Sequence, residues 1–231
     1  MKRKLFIYGT IFNNSLWVRD SIKSIQLLKP AAIYICDNFS TDGTYELLKN
    51  LNRRYKNIYI VRVKSSRGKG RQVALDLVYK ASKNTDLAMY VDFDTIYKKP
   101  YLLLIQKLIE AIKGKEVSIG MLATIKTNKL CKFKNLNAAE DVERYAHFIA
   151  LGCKLIDVPK TAKQYKNLAT ESIKGNRLIS RELYYSKNPI RLVRWTIDLY
   201  RGHAYDNYKN ALTDKASQII KFIDIFGFFD G

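Results

Sequence analysis

Along the first 160 positions, short unbroken apolar runs alternate with longer stretches whose apolar residues fall three and four apart. The runs fit buried strands and the stretches fit amphipathic helices. Residues 4–9 form the first run. Asn13, Asn14 and Ser15 then offer capping oxygens to a helix that aligns Val18, Ile22, Ile25 and Leu28, and Pro30 ends it. Residues 32–36 form a second run, which stops at Asp37-Asn38. Thr41 or Asp42 caps a helix carrying Leu47, Leu48 and Leu51, and residues 58–63 make a third strand rich in β-branched side chains. A polar loop with two glycines, residues 65–70, precedes a helix with Val73, Ala74, Leu77, Val78 and Ala81 on its apolar face. Residues 87–91 are a fourth strand ending at Asp92-Phe93-Asp94. Pro100 opens a helix showing Leu104, Leu108 and Ile112. A strand over 117–123 follows. A helix over 138–151 then sets Val142, Tyr145 and Ile149 in line, closed by Gly152, and residues 154–158 fit one more strand.

Strand and helix alternate four times. That pattern predicts an α/β domain with a mostly parallel central sheet covered by helices on both faces. In such sheets ligands gather at the carboxyl ends of the strands. Residues 10–13, Asp37-Asn38, the 65–71 loop and Asp92-Phe93-Asp94 all follow strand ends, so their polar groups converge on one edge. Residues 161–231 read as helices with Tyr- and Arg-rich loops. The expected organisation is a core over 1–160 and a helical C-terminal extension over 161–231 that holds an acceptor or a surface.

Composition narrows the classes. The chain has 231 residues, 47% of them hydrophobic, which is enough for a sizeable core and excludes a disordered chain. The formal net charge is +20, and residues 49–71 hold nine Lys/Arg with no carboxylate. Such a field attracts phosphates, anionic headgroups or nucleic acid, although a solvated basic face is the plainer reading. Three cysteines, with no C-x-x-C pair, argue against a disulfide framework or zinc knuckle and suit a reducing compartment. The expected location is therefore cytoplasmic. The N-terminal Met1-Lys2-Arg3-Lys4 and its apolar sequel mimic a signal peptide, but Gly9-Thr10 interrupts the run and a first strand is the better reading. Near the C-terminus Ile219, Ile220, Ile223 and Phe226 stand at helical spacing beside Lys215 and Lys221. They fit either core packing or an amphipathic helix making peripheral contact with a membrane.

Two segments carry candidate chemistry. In Asp92-Phe93-Asp94 an apolar strand delivers two carboxylates, two positions apart, into a loop. Magnesium or manganese binds one or two carboxylates together with substrate phosphates, and such an ion neutralises a departing diphosphate. The tripeptide alone also fits a polar turn. In residues 37–44, Ser40, Thr41 and Asp42 fit a helix-capping turn. Asp37 precedes that turn, where a carboxylate can accept from a base N–H or a ribose hydroxyl.

In their order these segments resemble the inverting glycosyltransferases of family 2, which share the Rossmann-like GT-A fold. Thr10-Ile11-Phe12-Asn13 stands where that family ends its first strand. Asp37 through Thr44 matches its D-x-x-S-x-D-G-T segment, and Arg67-Gly68-Lys69-Gly70-Arg71 its Gly-rich basic loop. Asp92 and Asp94 match its D-x-D motif, and Glu140-Asp141 the acidic pair that opens a late helix. The resemblance covers residues 4–160. It implies a nucleotide-diphosphate sugar donor, UDP- or GDP-linked, and a lipid, glycan or protein acceptor. It assigns Thr10, Asn13 and Asp37 to the nucleoside, and Lys69 or Arg71 to the donor from the basic loop. Asp94 would ligate Mn2+ or Mg2+, Asp92 would meet ribose or metal-bound water, and Asp141, beside Glu140, would be the general base of an inverting displacement.

Some matches are loose. Asp76 stands where the family often has Asn. Residues 191–195 resemble its Q-x-x-R-W acceptor motif with Arg191 in place of Gln. Arg194 and Trp195 fit an acceptor or phosphate contact, or a packed helix face. His203 fits a late metal ligand or an ordinary loop histidine. Glu140 and Asp141 also fit a helix N-terminus whose dipole favours acids. Two other functions compete. A sugar-1-phosphate nucleotidyltransferase would carry a Gly-rich loop after the first strand, and residues 10–15 have no glycine. A non-catalytic nucleic-acid binder would account for the charge, but no nucleic-acid motif accompanies it, so nucleic acid is not the expected partner.

Overall fold

A computed structural model describes residues 3–156 and the backbone of a two-residue strand at Glu171–Ser172. The chain runs β1 (Leu5–Ile11), α1 (Val18–Gln26), β2 (Ala32–Asp37), α2 (Thr44–Tyr55), β3 (Ile58–Arg62), α3 (Arg67–Ala81), β4 (Leu87–Tyr90), β5 (Thr95–Ile96) and α4 (Lys99–Ala111). Then come β6 (Glu116–Val117), a 3-10 turn (Ile119–Met121), β7 (Ala123–Thr124), α5 (Ile125–Asn128), α6 (Glu140–Ala150), β8 (Lys154–Leu155) and β9 (Glu171–Ser172). The central sheet has the order β3-β2-β1-β4-β7, parallel except for the antiparallel β4–β7 pair. This is the expected mostly parallel α/β architecture. Among the described residues no helix is long and apolar enough to cross a membrane.

Alternation along β1 divides the core. Leu5 and Ile7 face a layer built on Val18, Ile22 and Ile25 of α1, Leu48 of α2, and Ile105 and Leu108 of α4. Phe6 and Tyr8 face the other layer, with Ala74, Leu75 and Val78 of α3 and Phe148 of α6. Both faces of β1 and β2 are buried, which is why these strands read as unbroken apolar runs.

Several local expectations change. Asn13, Asn14 and Ser15 do not cap α1, whose N-cap is Trp17 with no side-chain bond. Their groups join the first loop to its neighbours instead. Asn13 Oδ1 accepts from the Thr41 N–H at 2.9 Å, Asn14 Nδ2 donates to the Phe93 carbonyl at 2.7 Å, and the Ser15 N–H donates to Asp42 at 2.9 Å. Gly43 is the N-cap of α2, again with no side-chain bond. Asp42 nonetheless accepts from the Thr44 N–H at 3.1 Å. The strand expected over 117–123 is broken because Gly120 and Met121 both take positive φ, 62° and 51°. A side chain on Gly120 would also meet the Tyr90 carbonyl, so this turn needs glycine twice over. At the C-terminal end of α6, Gly152 takes φ 73°, the left-handed closing conformation that the sequence suggests.

The largest revision concerns the glycine-rich segment. It is not a loop: Gly68 and Gly70 lie in the first turns of α3, and Ser66 caps that helix by accepting from the Lys69 N–H at 3.1 Å. A Cβ on Gly68 would collide with the Lys134 carbonyl, and one on Gly70 would stand 2.7 Å from Thr10 Oγ1. The glycines let α3 press against β1 and against residues 134–136, where the Gly68 N–H donates to the Leu136 carbonyl at 2.9 Å. The face of α6 is also revised. Val142, Tyr145 and Ile149 are only partly buried, and the buried side carries Glu140, Glu143, Arg144, Ala146 and Phe148.

The described part of the 161–231 extension is β9, which pairs antiparallel with β5 through Thr95 and Ser172. The 219–226 stretch lies outside the described residues. Packing at Gly68 gives a stability test by urea denaturation. Gly68→Ala is expected to lose about 1–3 kcal/mol by overpacking. Gly114→Ala, whose added carbon meets nothing nearer than 3.6 Å, should stay within about 0.5 kcal/mol of the parent.

Candidate active site

The carboxyl ends of β1, β2, β3 and β4 share one edge, and the candidate residues distribute along it in two groups. At the β2 end, Asp37 is wholly buried. Its carboxylate accepts from the Ser40 N–H at 3.1 Å and the Ser40 hydroxyl at 2.5 Å, and from Arg62 Nε at 2.9 Å. Arg62 is in register with Asp37 on the neighbouring strand. Its guanidinium lies between the Phe39 and Tyr45 rings, 4.8 and 4.5 Å from their centroids. Thr10, next to this group, donates its hydroxyl to the Cys36 carbonyl at 3.0 Å. Asn13, in the loop beyond β1, takes φ 45° and holds the 40–41 turn by backbone and side chain. The first group is thus a preformed, hydrogen-bonded wall.

The second group centres on Arg71, only 3% exposed in the second turn of α3. Its Nη1 lies 2.6 Å from Glu140 Oε1 and 3.8 Å from Asp141 Oδ2, and its Nη2 donates to Asp92 Oδ1 at 3.0 Å. The guanidinium lies 4.2 Å from the centroid of the Tyr90 ring. Burial works against its charge, but the Tyr90 phenol and the carboxylates of Glu140, Asp92 and Asp141 hold its pKa well above the ordinary value. One arginine therefore gathers carboxylates from the end of β4 and from the start of α6.

Those carboxylates differ. Glu140 is fully buried between Arg71 and Arg67, whose Nε is 3.6 Å away. Burial raises its pKa against the pull of Arg71 and then Arg67. The Asp141 side chain is 34% exposed and that of Asp92 47% exposed, so both reach solvent at the edge. Asp141 accepts from the Tyr90 hydroxyl at 3.2 Å. Burial pushes the Tyr90 pKa far up, so that hydroxyl stays a proton donor. No side chain caps α6; Glu140, Asp141 and Glu143 occupy its first turn, where the dipole favours them. Asp94 is 6% exposed, at the start of the β5 segment, and Thr95 Oγ1 donates to it at 3.3 Å.

The expectation that Arg71 reaches toward a donor from a loop changes: it is a buried helix residue engaged with three carboxylates. Lys69, one turn away from the cap, is exposed on the same edge. Arg194, Trp195 and His203 lie outside the described residues. Sequence reasoning missed Arg62 and Tyr90, and gave Arg67, named in the basic segment, no role of its own. Arg62 and Tyr90 are each the last residue of their strand, and that position was the available signal.

Could these residues hold a divalent ion? Among the described residues, no group of three or more His, Cys, Asp or Glu side chains stands together to hold one. Asp92 and Asp94 nevertheless fit magnesium or manganese, which takes hard oxygen donors and completes its shell with water and substrate phosphates rather than a protein cage.

Residues 9–184 match the family model for glycosyl transferase family 2, and the chain belongs to that family. The crystal structure of Staphylococcus aureus TarS superposes with a TM-score of 0.52 at 18% identity, over 69% of this chain and 36% of that one. A structure of TarS residues 1–349 gives 0.48 at 19% identity, over 63% and 55%. The mannosyltransferase PcManGT from Pyrobaculum calidifontis, in complex with GDP-Man and Mn2+, gives 0.49 at 13% identity, over 99% and 82%. This chain thus spans about a third of the length of the first of these structures. No curated protein matches the chain. The likeness to TarS shows the fold, and the GT-A class expected from the sequence stands.

Arg71→Met should leave buried Glu140 with only Arg67, 3.6 Å away, to pair it, at a cost of up to about 3–5 kcal/mol. The sign of its pH dependence follows from Glu140. A carboxyl whose folded pKa is raised contributes stability at low pH and loses it as pH rises through that pKa. Removing Arg71 raises it further. The deficit of the variant should therefore be smallest in acid and widen as pH rises, as read from urea midpoints across pH. A pH-independent deficit would contradict this placement of Glu140.

Proposed function

We propose that the chain transfers a sugar from a nucleotide-diphosphate donor to an acceptor hydroxyl at the carboxyl edge of its sheet. The observation that carries this reading is the Arg71 cluster, which sets Asp92 and Asp141 at solvent-reaching positions within a single ion-pair network. The nucleoside lies along Thr10, Asn13 and the Asp37–Arg62 wall, and the diphosphate lies by Asp92 and Asp94 with Lys69 nearby. Asp92 and Asp94 would hold Mn2+ or Mg2+, which when bound supplies charge neutralisation for the departing diphosphate.

Asp141 is the general base. It takes the proton of the acceptor hydroxyl as that oxygen attacks the anomeric carbon from the face opposite the leaving diphosphate, so the product is inverted. Glu140 does not serve, because its carboxyl is wholly buried against Arg71 and Arg67. The Tyr90 hydroxyl and Arg71 hold the Asp141 carboxylate in place. Arg71 is a positioning residue: its contacts run to carboxylates, and it acts through them. UDP- and GDP-sugars are the donor classes to test first; lipid, glycan and protein hydroxyls are all open as acceptors.

Two variants test the assignment together. Nucleoside diphosphate with manganese should raise the melting temperature of the wild-type chain. Asp94→Asn should abolish that shift. Asp141→Asn should keep the shift while transfer falls by about 10²–10⁴-fold, the usual contribution of a general base. Equal stabilisation of wild type and Asp94→Asn would remove the donor site from this edge, and full turnover by Asp141→Asn would remove the base.

A further inference from the structure

Crossover helices between parallel strands run back against them, so their C-termini collect at the amino edge of the sheet. A helix C-terminus favours cations, and this chain concentrates them there. Lys29 follows α1, Arg53, Arg54 and Lys56 close α2, and Lys80 and Lys83 lie at the end of α3. Lys113 and Lys115 follow α4, while Lys126 and Lys129 stand by α5, which follows the antiparallel β7. All ten side chains are exposed. Hydrogen bonds join these segments into one rim. The Ala31 N–H donates to the Leu5 carbonyl at 2.7 Å, and the Leu87 N–H to the Lys4 carbonyl at 2.9 Å. The Lys126 N–H donates to the Asn84 carbonyl at 3.0 Å, and the Thr127 hydroxyl to the Gly114 carbonyl at 2.7 Å.

Among the described residues the acids on this rim are Asp86, Glu110 and Glu116, three against these ten cations. Asp86 is buried and accepts from the N–H groups of Lys4 and Lys83, both at 2.9 Å. Glu116 is engaged by the N–H groups of Lys113 and Gly114. Glu110 is exposed and stands against many cations. Among these cations protrude Leu27, 62% exposed, and Leu130, 41% exposed.

We propose that this amino-edge rim docks on an anionic lipid bilayer, with the cations at headgroup phosphates and Leu27 and Leu130 at the acyl boundary. Exposed leucines set among lysines suit a headgroup layer, which is charged outside and apolar within. A nucleic-acid backbone offers them only phosphates and sugars. Five strands spaced about 4.8 Å apart make the rim about 20 Å wide, room for several headgroups. Docked this way, the edge bearing Asp92 and Asp141 faces away from the bilayer. The proposal is independent of the reaction assigned above, because its residues lie at the opposite end of every strand.

The test is sedimentation of the full chain with vesicles at about 0.1 M salt, where charges are screened beyond about 10 Å. Binding is expected to phosphatidylcholine–phosphatidylserine vesicles and not to phosphatidylcholine alone. Arg53→Glu with Arg54→Glu should weaken it by at least about thirtyfold, since one cation at an anionic surface contributes about fivefold. Lys98→Glu with Lys99→Glu makes the same charge change at the other end of the sheet and should leave binding within a few fold. If Arg53→Glu with Arg54→Glu lowers the melting temperature, Arg53→Gln with Arg54→Gln replaces it, with at least tenfold weakening expected. Absence of binding to anionic vesicles overturns the proposal. So does equal loss in the two charge-reversed variants, or retention on single-stranded DNA with none on vesicles.

Discussion

The site edge is organised by a guanidinium that has been taken out of water. Burying Arg71 carries a desolvation cost of several kcal/mol, which only close ion pairing and further contacts offset. Glu140 at 2.6 Å, Asp92 at 3.0 Å and the face of Tyr90 supply them. Bringing those partners within reach sets conditions on the rest of the chain. The start of α3 must lie against β1, which requires hydrogen in place of a side chain at Gly70. It must also lie against residues 134–136, which requires the same at Gly68. The basic, glycine-rich segment is thus explained by one ion cluster: the glycines permit the approach, and Arg71 is the reason for it.

A second buried arginine completes the arrangement from the other side. Arg144 is fully buried on α6, one turn beyond Glu140. Its hydrogen-bond partners are neutral: the Tyr8 hydroxyl, the carbonyls of Asn128 and Cys131, and the Asn128 side chain. The Phe133 ring lies 4.2 Å from it and 6.0 Å from Arg71, so this one ring adjoins both cations. Helix α6 is therefore held at two points, by Glu140 on Arg71 and by Arg144 on the 128–131 turn. Asp141 lies between them in the sequence, at the start of the helix, and accepts from the Tyr90 hydroxyl. The base role proposed for Asp141, which requires an acceptor within hydrogen-bond reach, would benefit from such fixing.

How much of this could be read from the sequence depends on the kind of force at work. Burial on both faces leaves unbroken apolar runs, so β1, β2 and β4 were legible, and with them the edge where Asp37 and Asp92 emerge. Helix α1 was legible from Val18, Ile22 and Ile25, since one apolar face sufficed to place it. The buried face of α6 was misread because it carries Glu140, Glu143 and Arg144, and periodicity in apolar residues cannot register charged groups held inside by ion pairs or hydrogen bonds. The glycines at 68 and 70 were read as loop signals for a related reason. Their purpose is a close approach to Thr10 and Lys134, residues distant in sequence. Arg62 escaped notice because its role follows from register with Asp37, a property of strand pairing that no local pattern contains.

The same topology accounts for the charge. A total of +20 says only that anions are attracted. Parallel strands with returning helices divide it into two populations with different surroundings. At the carboxyl edge, Arg62, Arg67 and Arg71 are tied to Asp37, Glu140 and Asp92, so much of their charge is spent inside the protein. At the amino edge, the last turns of α2 and α3 display Arg53, Arg54 and Lys80 to solvent. A helix dipole accounts for a cation or two per helix, Lys126 and Lys129 at the end of α5 among them, but it does not call for Lys113 and Lys115 in the segment after α4, nor for Leu27 and Leu130 nearby. The fold alone leaves that excess unexplained, and the proposed docking surface accounts for it.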